Sequence, residues 1–126
     1  MNVPTNVKYS TDHEWLKIEG EFGYVGLSEY ATDQLGDIVF LDINTIGEIL
    51  AKDEPFGSVE AVKTVSDMLI PVSCEVIEFN DKLEVDPGLL NTDPYGEGWI
   101  VKIKLTNDTE VADLMDSEAY KAMIGE

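Results

Sequence analysis

The chain predicts a mainly β fold, a sandwich or barrel of antiparallel strands with short helices at its margin and C-terminus. Three features point there. Its β-branched and aromatic residues come in short runs, and those runs are divided by Gly, Pro, Asn and Asp. Only one segment of the first two-thirds carries a helical period. A helical pattern returns only beyond Asp108. Short strands at close spacing, with helices pushed to the edges, build packed antiparallel layers.

Taken in order, residues 14–18 form a strand that stops at Glu19-Gly20-Glu21, and residues 22–27 return from that turn as its hairpin partner. Residues 28–35 are the helical exception. Ser28 suits the N-cap, Glu29 lies in the first turn, Gly36 can end the helix, and Ala31 and Leu35 face the core. Residues 38–42, 48–50, 69–70 and 75–79 follow as short strands. Residues 86–90 make a brief helical turn, and residues 99–105 alternate so well that they form the clearest strand. Trp15 and Trp99 sit at strand starts and are read as core. Val111, Leu114 and Met115 then set a helical pattern, and Ser117 caps a last helix carrying Tyr120, Met123 and Ile124. No low-complexity linker divides the chain. One domain over 1–126 is expected, with a C-terminal helical segment at about 108–125.

Charge narrows the function classes. Twenty-six acidic residues face eight lysines and no arginine, a net charge of −18. Nucleic acid is excluded as a partner, because phosphates demand cationic contacts. The same field favours solubility and speeds encounters with cationic protein surfaces. No apolar run approaches the ~20 residues of a membrane span. Met1-Asn2-Val3-Pro4 lacks the basic start and apolar core of a signal peptide. The lone Cys74 rules out an internal disulfide and suits a reducing compartment. One histidine and one distant cysteine make no metal-ligand cluster. Gly96-Glu97-Gly98 lacks the strand-then-helix context of a phosphate loop and is read as a turn.

The segment from Phe56 to Asp67 is the most informative. It sets Lys63 among Val59, Val62 and Val65, a run that wants a strand or tight hairpin, with Gly57 and Pro71 outside it. Two readings stay open from these residues. Lys63 stands at a rigid hairpin tip where another enzyme can find and modify it, or it is a strand lysine whose stem covers apolar neighbours. Val62-Lys63 at the centre of a two-residue turn offers neither Gly nor Asn for the favoured primed types. Such a turn needs tertiary support.

The tip resembles those of lipoyl and biotinyl domains. Val62 and Thr64 flank the lysine where biotinyl domains usually have methionine, and Glu60 and Ala61 are closer to the lipoyl type. Four blocks in order widen the likeness: Tyr9 to Trp15, Gly26 to Phe40, Gly57 to Asp67 and Asn91 to Trp99. Together they resemble the glycine cleavage system H-protein family from about residue 7 to the C-terminus. Departures from its pattern are Ala61 and Thr64 for the usual serine and alanine beside Val62-Lys63, Cys74 where glycine is common, and Ile43-Asn44-Thr45 in place of a segment carrying proline.

The resemblance implies a flattened β-barrel/sandwich hybrid of the lipoyl-domain type, with short peripheral and C-terminal helices. It implies lipoic acid held covalently on Lys63 as N6-lipoyllysine, put there by a lipoate-attaching enzyme. It implies a non-catalytic carrier that takes an aminomethyl group from the P protein, a pyridoxal-phosphate glycine decarboxylase. The carrier passes that group to the T protein, an aminomethyltransferase, and is reoxidised by the L protein, dihydrolipoyl dehydrogenase. The setting implied is the cytoplasm in a bacterium, or the mitochondrial matrix for a processed eukaryotic form. Glu14 and Asp67 match acidic positions that line a cleft for the loaded arm, where carboxylates would hold its ammonium. His13 is expected to make a structural hydrogen bond near Trp15. Two rivals stand beside this reading: an H-like lipoate relay outside glycine cleavage, and an enzyme using Lys63 as a Schiff-base nucleophile, which would need a desolvated amine.

Overall fold

A computed structural model describes residues 1–126. Strands β1 (Lys8–Tyr9), β2 (Glu14–Glu19) and β3 (Phe22–Leu27) lead into helix α1 (Glu29–Leu35). Strands β4 (Ile38–Asp42), β5 (Ile49–Leu50), β6 (Pro55–Ala61), β7 (Val65–Leu69) and β8 (Cys74–Phe79) follow. Helices α2 (Lys82–Val85) and α3 (Leu89–Thr92), strand β9 (Val101–Leu105), a 3-10 helix (Asp108–Asp113) and helix α4 (Ser117–Ile124) complete the chain.

The strands form two antiparallel sheets, a six-stranded one in the order β1-β2-β3-β9-β8-β5 and a three-stranded one in the order β4-β6-β7. Alternation decides what lies between them. Leu16, Val25, Val76, Val101 and Ile103 from the large sheet meet Leu41, Phe56, Val59 and Met68 from the small one in a continuous core of 20 buried residues. Trp15, one residue before Leu16, points the opposite way into a second cluster with Val3, Val7, Tyr9 and Tyr120. Strand β2 is therefore covered on both faces over its first half, by the core and by the N-terminal segment with α4.

Local signals explain α1 well. The Ser28 hydroxyl accepts from the Ala31 amide, and Gly36, at a positive φ of 81°, ends the helix by donating its amide to Thr32. The hairpin 14–18 with 22–27 also forms as expected, in register from Glu14↔Leu27 to Glu19↔Phe22. Four expectations are corrected. Gly57 lies inside β6, not outside the hairpin, because β4 crosses so close that a Cβ there would sit 2.6 Å from the Asp42 carbonyl oxygen. The strand of 99–105 begins at Val101, and Trp99 is half-buried ahead of it, edge-on to Tyr24. Asp116, not Ser117, caps α4 by accepting from the Ala119 amide, so the helix starts one residue earlier, directly after Met115 bridges to Tyr9. Leu114 and Met115 follow a 3-10 turn rather than an α-helix. No helix is long and apolar enough to cross a membrane.

Candidate functional site

The β6–β7 hairpin ends in a tight turn at Val62-Lys63. Glu60 pairs with Val65 beneath it, and the Ala61 amide donates to the Thr64 carbonyl at 2.8 Å. His13 and Asp53 are the non-glycine residues with positive φ, so Val62 and Lys63 both keep negative φ and the turn is unprimed. Unprimed turns splay hairpin arms against the natural strand twist. Support comes from outside: the Val62 amide donates to the Asp37 carbonyl at 3.1 Å, and Ile38 pairs with Ala61. The loop after α1 thus pins the tip through the backbone.

That pinning leaves the Lys63 side chain unencumbered. It is exposed, and its ammonium takes part in none of the ion pairs of the protein. Beside it lies a shallow cleft of about 380 Å³ between the tip and the end of α1, lined by Asp33, Gln34, Leu35, Gly36, Asp37 and Val62. Asp67 is four residues from Lys63 on the same hairpin, exposed, and opposite Ser58.

Glu14 has a very different setting. It is 1% exposed at the start of β2. The Ser10 hydroxyl donates to its carboxyl at 2.8 Å, and its own amide donates back to that hydroxyl. Burial pushes the carboxyl up to about 10; the nearby Asp12 carboxyl adds to the rise, while hydrogen bonds from Ser10 and the Leu69 amide oppose it. Glu14 is accordingly a neutral acid at pH 7, not a water-facing carboxylate. Its contact with Leu69 sets it beside β7, two residues along from Asp67. Neither acid pairs with the Lys63 ammonium.

His13 does the structural work expected of it, with a different partner. Its Nδ1 shares a hydrogen bond with the Tyr120 hydroxyl at 2.9 Å, and that hydroxyl meets Ser28 Oγ at 2.6 Å. Tyr120 stacks on Tyr9 at 4.4 Å, so α4 is tied to β1, β2 and the start of α1. Burial lowers the His13 pKa against the opposing charge of Asp12, which keeps the ring neutral at pH 7. Cys74 is fully buried in β8, and burial pushes its thiol up to about 12, so it is an inert packing residue. Asp37, Ser10 and Asp12 escaped the sequence reading; the only signal for the latter two is their place beside His13-Glu14.

Comparison with known proteins agrees with this architecture. A family model described as glycine cleavage H-protein matches residues 7–126. The glycine cleavage system H protein of Bacteroides thetaiotaomicron is 52% identical over 124 residues, covering 98% of each chain. That of Bacteroides fragilis is 53% identical with the same coverage. The crystal structure of a glycine cleavage system H protein from Mycobacterium marinum superposes with a TM-score of 0.89 at 35% identity, over 98% of this chain and 99% of that one. The chain belongs to the glycine cleavage H-protein family. The lipoyl-type barrel/sandwich expected from the H-protein resemblance is the fold observed. Of the positions that depart from the H-protein pattern, Cys74 fills a buried strand site between Leu50 and Leu105 rather than a turn.

Proposed function

We infer that this chain is the lipoyl-bearing shuttle of the glycine cleavage system, a carrier subunit that moves an aminomethyl group from the P protein to the T protein and is reoxidised by the L protein. The single observation that carries the reading is an exposed, unpaired lysine amine on an externally pinned hairpin turn, in a chain of the H-protein family. Lys63 fits lipoate as an amide: its amine is open to an incoming acyl group, and a cleft beside it can receive part of the arm. Lipoate supplies a dithiolane that takes up and gives back the cargo and a pair of electrons. The chain's own residues do the rest. Lys63 tethers the arm, and tethering raises the cargo's effective concentration at each partner in turn. A pinned tip keeps the arm's root in one place, which the Schiff-base alternative would not need; that alternative also lacks the desolvated amine it requires, because Lys63 is exposed. With bacterial relatives, the setting would be the cytoplasm.

Glu14 and Asp67 are proposed to hold the ammonium of the loaded arm along β7. Asp67 offers a carboxylate at the surface. Glu14 carries a proton when nothing cationic is near, and an ammonium beside it favours loss of that proton. Loading would then release a proton as a charge-assisted hydrogen bond forms.

The test has two stages. Incubation of the unmodified chain with lipoate ligase, ATP and lipoate, followed by peptide mapping, should place the mass increase on Lys63. Comparable yield at any other lysine removes the assignment. With the chain loaded, Glu14→Gln and Asp67→Asn should release ammonia and formaldehyde about ten-fold faster than wild type when the T protein is absent. Unchanged rates would take both acids out of the mechanism and leave Lys63 in it.

A further inference from the structure

Ten large apolar side chains stand exposed on the molecule, and four of them, Val39, Phe40, Val62 and Val65, lie on the three-stranded sheet and its tip. Their placement is ordered. Phe40 pairs with Glu60 and Glu60 with Val65, so the three share one row on the outward face. Two interstrand spacings put Phe40 roughly 10 Å from Val65. Phe40 is 56% exposed, Val65 64% and Val62, at the tip, 70%. The next row holds Asp42, Ser58 and Asp67. Beyond Phe40 the surface falls into a groove of about 390 Å³ between β4 and α2, walled by Val39, Ile43, Phe79 and Leu83. Lys63 is the only cation of this sheet; every other charge on its strands is a carboxylate. Exposed apolar side chains flanking and set among acids, with no helix laid over them, make a patch left open for a partner.

We propose that this face, from Phe40 across Glu60 to Val65 and Val62, is the docking surface for the lipoate-attaching enzyme. Its matching surface is an apolar depression edged by lysine or arginine side chains. The proposal rests on Lys63 being the attachment site. Reach selects this occupant over the other enzymes of the system. They act at the far end of a long arm and can stand off from the hairpin. The attaching enzyme must work at the end of a bare lysine, so its active site comes down onto the turn and meets Val62 and Val65. There the neutral Lys63 amine attacks the acyl carbon of an adenylated lipoate. The C–N bond forms, the acyl C–O bond breaks, AMP leaves with that electron pair, and the surplus amine proton passes to solvent. The docking face takes no part in those bond changes; it holds the two proteins in register while they occur.

The experiment measures lipoylation of the full chain by lipoate ligase with ATP and lipoate, over a range of carrier concentrations. Phe40→Ser should raise KM about ten-fold and Val65→Thr about three-fold, with kcat kept, since Lys63 and its turn are untouched. Phe40→Leu should restore a KM near that of wild type. Ile49→Thr removes a side chain that is 74% exposed on the other sheet and should leave KM unchanged. Val65→Thr keeps a β-branched strand residue, so it carries the test should Phe40→Ser fail to fold. KM within two-fold of wild type for the folded variants would overturn the proposal. So would an unchanged KM together with weaker binding of the lipoylated variants to the glycine decarboxylase, which would give the face to that enzyme. Peptide mapping separates the two claims: a label away from Lys63 refutes the attachment site, whereas a label on Lys63 at undiminished KM refutes only the docking face.

Discussion

The two sheets share a core yet differ in what their other faces meet. The six-stranded sheet has its back covered where β2 passes under α4, with Trp15 and Tyr9 wholly buried there and Tyr120 closing over them. The three-stranded sheet has one buried face and one bare one, and its turn is secured by a backbone hydrogen bond from a neighbouring loop. Acids follow the same division. Glu14, on the covered sheet, is buried and protonated, whereas Asp67, on the bare one, is exposed. Stability is concentrated where side chains are covered on both sides, and function where a rigid strand pair leaves its side chains in water. A carrier needs both, because its cargo arm must have a fixed root and the enzyme that attaches the arm must reach that root.

Substitutions can break or sharpen this contrast. The largest effect is expected at the tip, where Lys63→Arg should abolish lipoylation, since a guanidinium forms no stable amide with lipoate. Its folding stability should stay within ~0.5 kcal/mol of wild type, because an exposed, unpaired side chain contributes little. Intact mass after ligase treatment and a urea melt check the two halves. Next comes the covered sheet. Ile103 is fully buried in β9, between β3 and β8, and Ile103→Ala should cost about 2–5 kcal/mol in the same melt. Val65→Ala, on the bare face, should cost no more than about 1 kcal/mol. Equal losses would erase the distinction.

Glu14 sharpens the contrast through pH. Its folded carboxyl keeps its proton up to about 10, whereas the unfolded one loses it near 4.5. The contribution is fully present below the lower value and is lost as pH rises toward the upper one. Wild-type stability relative to Glu14→Gln should therefore fall between pH 5 and 8, by up to ~1.4 kcal/mol per pH unit. A pH-independent difference would mean that Glu14 is ionised in the folded chain. A modest effect is expected from Tyr120→Phe, which removes the hydroxyl joining Ser28 and His13 and should cost about 1–2 kcal/mol. A cost concentrated in early fraying of α4, seen by hydrogen exchange, would place that bond in the docking of the last helix rather than in the core.

Much of the fold was legible because its signals are local. Ser28 and Gly36 bracket α1, and the alternation of 101–105 marks the strand at the centre of the larger sheet. Strand β1 and helix α2 were not foreseen, since two and four residues are too few to show a period. Ser117 looked like a cap because serine suits that position, but Asp116 suits it equally, and the bridge from Met115 to Tyr9 settled the choice. Lys63 stood out as the candidate attachment site from its flanking residues, and the need for outside support at its turn followed from the lack of Gly and Asn. That Asp37 supplies the support was not recognisable, because its contribution is a carbonyl that any residue could offer.

By itself, then, the sequence determined a β-rich chain of strong negative charge with one lysine set among valines in a strand-and-turn segment, since composition, strand propensity and turn chemistry act over a few neighbouring residues. Only the tertiary structure decided which acids keep their charge and which apolar side chains stay bare. Glu14 is neutral because folding buries it beside Ser10 and β7, the latter distant in the chain, and removes the water that would solvate a carboxylate. Phe40 and Val65 are bare because sheet register aligns them on the outward face of the small sheet, away from the core. Solvation depends on what packs above a residue, and residue order fixes that only once the whole chain has folded.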